Sequence, residues 1–180
     1  MVYILLGVKQ KVIHGITVNK GYYWGDYLYT KDTCTGTTDT TFRGGLTKYN
    51  TNSASGTVDN LTTLELADDA AYTEDKICRM PTSGECEELI NNTTSAWTIV
   101  NNITGVKLTS VNNNNSMFIP AYGYVKNNNI NNIGTYGYLW TSTLNQKFPN
   151  YAYYLAFYSD NIGIGYNERC SGRTIRAVKK

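Results

Sequence analysis

Through the second half of the chain, apolar and aromatic residues alternate with residues that tolerate water. The period of two is the signature of half-buried strands. It is clearest in Asn150-Tyr151-Ala152-Tyr153-Tyr154-Leu155-Ala156-Phe157-Tyr158 and continues through Tyr138 to Ser142 and from Arg173 to Val178. The pleat predicts that Tyr153, Leu155 and Phe157 point inward and that Tyr154, Ala156 and Tyr158 point outward. After a turn at Ser159-Asp160-Asn161, Ile162 and Ile164 return to the core, and Tyr166, Asn167 and Glu168 follow in a loop before Gly172.

Upstream, the same pattern predicts strands at 2–8 and 11–18, at Trp97–Val100 and Gly105–Val111 around an Asn-Asn turn, and at Ser116–Pro120 after a turn at 112–115. The asparagines at 127–129 and 131–132 read as a mobile polar loop. Gly21 to Tyr27 is an aromatic cluster between glycines, best taken as a packing plug. Residues 30–60 hold no periodicity and read as a long surface excursion.

Two segments are helical. Leu61 to Tyr72 is helix-compatible, with an aspartate of Asp68-Asp69 as its cap. Those two carboxylates lack the spaced oxygen ligands of a calcium loop. The second helix has a clearer start. Pro81 halts an extended segment, Thr82 is the N-cap, Glu85 three residues on completes a capping box, and Cys86, Leu89 and Ile90 form the apolar stripe. Few helices and many strands give an α+β class.

Composition changes this picture little. A chain of 180 residues is most simply one domain, 1–180, able to bury roughly 70% of its unfolded surface. A net charge of +2 gives no field that would argue for nucleic acid or an anionic membrane. No run is long enough for membrane insertion, and no signal peptide is visible. Cys34, Cys78, Cys86 and Cys170 form no C-x-x-C pair, and the single histidine, His14, is far from them in sequence, so neither a metal site nor another cofactor is expected. Whether Cys78 and Cys86 pair is left open. Nine of the 16 tyrosines fall between Tyr122 and Tyr166, so candidate chemistry concentrates in the C-terminal half.

Several motifs agree in order and spacing with a known family. They are Leu64-Glu65-Leu66-Ala67-Asp68-Asp69-Ala70-Ala71, Arg79-Met80-Pro81-Thr82 with Glu85 and Glu88-Leu89, Asn115 to Tyr124 (NSMFIPAYGY), Gly134 to Ser142 (GTYGYLWTS) and Gly172-Arg173-Thr174-Ile175-Arg176-Ala177-Val178. In these the chain resembles the major paralogous domain family of Bacteroidetes and Fibrobacter surface proteins. It is also similar to the variable proteins of diversity-generating retroelements in phages and gut bacteria. The resemblance covers roughly residues 20–178, with 1–20 matching only loosely.

It implies a C-type-lectin-like fold: two short helices packed on a twisted antiparallel sheet, long loops, and chain ends that pair as neighbouring strands. It also implies a variable ligand-binding region at 138–178. There Tyr151, Tyr154, Ala156, Tyr158, Asp160, Asn161, Tyr166, Asn167, Glu168 and Cys170 are the candidate ligand-binding residues, with Cys170 taken as a sampled variant. Tyr, Asn, Ser and Gly are also the residues antibody loops use for rigid contact area and adaptable hydrogen bonding. The implied function is a receptor-binding or adhesin protein on a phage tail or bacterial cell surface, whose partner is a protein or surface-glycan target. The alternatives are a structural surface or tail component and, less favoured, an enzyme of the formylglycine-generating type. The last uses closely placed cysteines in the C-terminal half, where this chain has only Cys170, so no catalytic residue is expected. Self-association into a homo-oligomer is left open.

Overall fold

The computed structural model describes residues 22–24, 27–31, 41–127 and 129–180, with the backbone of Tyr3–Ile4. The strands expected at 2–8 and 11–18, with His14 and Cys34, otherwise lie outside the described residues. The architecture is α+β with mostly antiparallel sheets. Its elements are β1 (Tyr3–Ile4), α1 (Ala70–Glu74), β2 (Cys78–Arg79), α2 (Ser83–Asn91), β3 (Thr93–Val100), β4 (Ile103–Ser110), β5 (Ser116–Pro120), β6 (Tyr124–Lys126), β7 (Asn129–Asn131), β8 (Gly137–Leu144), β9 (Tyr151–Tyr158), β10 (Asn161–Glu168), β11 (Arg173–Thr174) and β12 (Val178–Lys179).

The main sheet has the order β1-β11-β8-β9-β10, in which only the β11–β8 contact is parallel. β1 pairs with β11, Tyr3 opposite Thr174, so strands from the two ends of the chain are neighbours. Beside it stands a second sheet, β3-β4-β5, and two small pairs, β6-β7 and β12-β2.

Local chemistry explains each boundary. The Thr82 side chain accepts from the Glu85 N–H while the Glu85 carboxylate accepts from the Thr82 N–H, so the capping box forms and α2 starts where predicted. Arg79 clamps the same carboxylate, and this pairing, with the Thr82 bonds, pulls its pKa down to about 2. Asn101 and Asn102 both take positive φ, 51° and 62°, as the tight turn of the β3–β4 hairpin requires. Helix α1 is shorter than the sequence suggests. Asp69 caps it, but Leu64 remains extended because Thr63 bridges to Thr143 of β8. Asp69 accepts from Ala71, Tyr72 and Met80 N–H groups, while Asp68 accepts from Lys48 and Tyr49. Donors thus occupy both carboxylates.

Three expectations are corrected. The segment 41–60 is not simply a surface excursion. Leu46 and Tyr49 are buried, Leu46 bridges to Thr30 and Gly56, and Asp59 accepts the N–H groups of Tyr49 and Asn50. The asparagine segment is largely the β6–β7 hairpin, with Asn127 at φ 53° in its turn. Tyr166, Asn167 and Glu168 belong to β10, paired residue for residue with Tyr153, Ala152 and Tyr151.

Two cores flank the main sheet. One joins Trp24, Tyr27, Leu46, Tyr49, Met80, Trp140, Leu144, Ala152 and Cys170, so the early aromatic cluster is a packing plug. The other joins Cys86 of α2, Val106 and Leu108 of β4, Ile119 of β5, and Leu139, Leu155 and Phe157 of the main sheet. Ile162 and Ile164 pack against it as expected. Cys78, Cys86 and Cys170 are free thiols. Among the described residues, no helix is long and apolar enough to cross a membrane.

Candidate functional site: a tyrosine array over a buried arginine

The pleat of β8, β9 and β10 divides their side chains between two environments. Leu139, Leu155, Phe157, Ile162 and Ile164 face α2 and the β3-β4-β5 sheet. On the other side stand Tyr138 and Trp140 of β8, Tyr154, Ala156 and Tyr158 of β9, and Asn161, Gly163 and Gly165 of β10, placed by the pairs Tyr138–Ala156, Trp140–Tyr154, Ala156–Gly163 and Tyr158–Asn161. Among the described residues no helix covers Tyr138, Tyr154 and Tyr158, which remain half-buried.

These rings form a continuous array. Tyr124 meets Tyr138 edge-on at 5.5 Å, Tyr138 stacks on Tyr136 at 5.9 Å, and Tyr136 meets Tyr158 at 4.9 Å. Tyr154 packs edge-on against both Tyr138 (5.5 Å) and Trp140 (5.9 Å). Aromatic pairs prefer such geometries, each worth about 0.5–1.5 kcal/mol beyond its buried area. The Trp140 indole N–H donates to the Ser171 carbonyl, which fixes the base of the array.

Glycines shape the surface. The Tyr154 ring lies across Gly165, where a Cβ would meet it at 2.8 Å, while the space above Gly163 is open. The strip from Ala156 to Gly163 is therefore a low floor beside the Tyr154 and Tyr158 rings. Gly137 lies directly over the buried Phe157 ring and has no room for a Cβ.

Beneath the array lies Arg173, only 2% exposed. Its guanidinium carbon is 4.5 Å from the ring centres of Trp140 and Tyr154, 5.2 Å from Tyr138 and 5.4 Å from Tyr124. Nε and Nη1 make no hydrogen bond, and among the described residues no carboxylate pairs with it. Burial pulls its pKa down to about 10, with the Tyr154, Tyr138 and Tyr124 hydroxyls opposing the shift, so it stays charged at neutral pH. Burial likewise raises the Tyr138 pKa.

The candidate residues separate. Tyr154, Ala156, Tyr158 and Asn161 share the open face, with Asp160 exposed in the adjoining turn. Tyr151 and Tyr166 fall on the opposite side of the pleat, in a second cluster with Phe148 and Tyr153. Tyr153, expected inward with Leu155 and Phe157, is half-buried against Tyr166 because the core beneath Leu155 does not extend that far. Asn167 accepts the N–H of Glu168, and Glu168 pairs with Lys126 at 2.9 Å. Cys170, expected as a ligand-binding variant, is fully buried in the first core, and burial raises its thiol pKa to about 12. That position serves packing.

Tyr124, Tyr136, Tyr138 and Arg173 were not among the sequence candidates. The signal for the tyrosines is the repeated Tyr-Gly-Tyr at 122–124 and 136–138. For Arg173 the sequence carries no signal of burial, since an arginine between Gly172 and Thr174 reads as solvent-exposed.

Away from the array, an apolar cavity of about 400 Å³ lies among Ala71, Cys78, Ile119, Tyr122, Leu139 and Thr174. It adjoins the second core and shares no side chain with the array.

Residues 97–178 match the sequence model of a family described as a domain of unknown function (DUF8237). That span runs from Trp97 of β3 to Val178 of β12 and holds the whole tyrosine array. No curated protein matches the chain, and no solved structure matches it.

Proposed function

We propose that this chain is a ligand-binding protein of the receptor-binding or adhesin type, with a C-type-lectin-like fold of the kind used by diversity-generating retroelement variable proteins. The observation that carries this reading is the open face of the main sheet, at which five tyrosine rings stand in a continuous array that no helix covers among the described residues. Tyrosine offers large, rigid contact area at the cost of freezing two torsions, and such rings dominate interface energetics at about 2 kcal/mol or more when truncated. Support for the fold comes from the pairing of β1 with β11, the two short helices and the mostly antiparallel main sheet. The partner is a protein or surface glycan met at a phage tail or bacterial surface, and binding, not catalysis, is the activity.

Tyr158→Ala tests the face. Tyr158 touches Tyr136 at the rim, so its removal should abolish target capture by intact cells while shifting the melting temperature by only a few degrees. Unchanged capture would remove the face from consideration. Sequencing the locus tests the retroelement assignment, which requires a nearby reverse transcriptase gene and a near-repeat of the 3′ coding end differing at adenines.

A further inference from the structure

A cation buried without a counter-ion costs several kcal/mol in lost hydration. Aromatic faces return part of this, about 2 kcal/mol or more at a desolvated site. Arg173 has four such faces, yet two of its nitrogens remain without acceptors, and among the described residues no carboxylate stands within ion-pair distance. The nearby charges do not supply one. Glu168 is held by Lys126, and Asp160 sits exposed in the β9–β10 turn, beyond Tyr158. The open face thus stands over a positive charge without a counter-ion among the described residues, covered by aromatic rings in a medium of low dielectric, where charge acts strongly.

Tyr138 and Tyr154 pack edge-on against each other over the guanidinium, and both are half-buried, so a partner's carboxylate would reach the free N–H groups by turning one of these rings aside. Resting on the assignment of this face as a binding surface, we propose that its partner is a protein that presents an aspartate or glutamate side chain to the Tyr124–Tyr138–Tyr154 cluster, with Arg173 as the counter-charge. A protein fits better than a saccharide. The surface is a broad array of rings around a low strip, and tyrosine and arginine are the residues that carry protein–protein hot spots.

Panning a random peptide library against the intact protein tests this. Peptides retained by the native chain should be enriched in Asp and Glu, and Arg173→Met should lose the enrichment and weaken the selected peptides roughly thirtyfold or more. If Arg173→Met does not fold, the native protein still decides: replacing the carboxylates of a selected peptide by Asn and Gln must cause a similar loss. Peptides that need Tyr158 but show no acidic bias would overturn the proposal and leave the binding face standing. Peptides indifferent to Tyr158→Ala would remove the face itself. Capture of uronate or sulfated saccharides with no peptide retained would overturn the choice of a protein partner.

Discussion

The two sides of the β8–β9–β10 sheet share strands and register, yet their residues do different work. On one side Leu139, Leu155, Phe157, Ile162 and Ile164 lie against a helix and a second sheet, and their contribution is area removed from water. On the other, Tyr138, Tyr154 and Tyr158 keep part of each ring exposed: Tyr138 and Tyr154 touch each other and Arg173, and Tyr158 touches Tyr136. Alternation along three strands is thus enough to give one sheet a stabilising side and a presenting side. Tolerance on the presenting side is confined to its outer part, Ala156, Tyr158 and Gly163, since Trp140 and Tyr154 join the first core.

The largest effect should come from the stabilising side. Phe157→Ala removes a fully buried ring under Gly137 and should cost about 3–5 kcal/mol, measured by denaturant unfolding. A loss as small as that of its neighbour Tyr158→Ala, expected within about 1 kcal/mol, would erase the contrast between the faces. Tyr154→Ala should fall between, at about 2 kcal/mol, because this ring rests on Trp140 and Arg173. A loss of Tyr154 as harmless as that of Tyr158 would show that the arginine does not depend on its cage.

Smaller effects sharpen the comparison. Thr82→Ala should cost about 1 kcal/mol by removing the α2 cap, and binding should be unaffected because Cys86, Leu89 and Ile90 of α2 pack into the core on the stabilising side. The same helix carries a pH signature. The Glu85 pKa, held near 2 by Arg79, lies below its ordinary value of 4.5, so the folded state binds that proton less readily than the unfolded chain. Its contribution is complete above the ordinary value and fades as pH falls toward 2. Glu85→Gln should therefore flatten the stability profile across that acidic window, read as melting temperature against pH. Partial exposure of the pair keeps the effect small.

Much of this division was legible in the sequence, and the failures have physical causes. The capping box placed α2 because its signal is local: a threonine, a glutamate three residues on, and a proline before. The Asn-Asn turn and the apolar period located β3, β4, β5 and β9 for the same reason. Alternation also put Leu155 and Phe157 inside and Tyr158 outside. It failed at Tyr153 and Cys170 because a period states which side of the pleat a residue takes, and not how far the core extends along it. Tyr153 runs past the core's end, whereas Cys170 follows β10 and turns into the other core. The array itself joins residues as distant as Tyr124 and Tyr158, and Arg173 reaches it through the parallel contact of β11 with β8. Such contacts are set by strand order, which local patterns do not encode.

The open space above Gly163 has a consequence for adaptability. Its backbone asks for no special conformation and no atom stands where a side chain would begin, so serine, asparagine or a larger residue there adds a new prong to the surface at little cost to folding. Gly165, two positions on, has less latitude, because a side chain there must push the Tyr154 ring aside. A single strand thus carries one dial that selection can turn freely and one tied to a neighbouring ring, and the free dial lies against Ala156, in the middle of the contact surface.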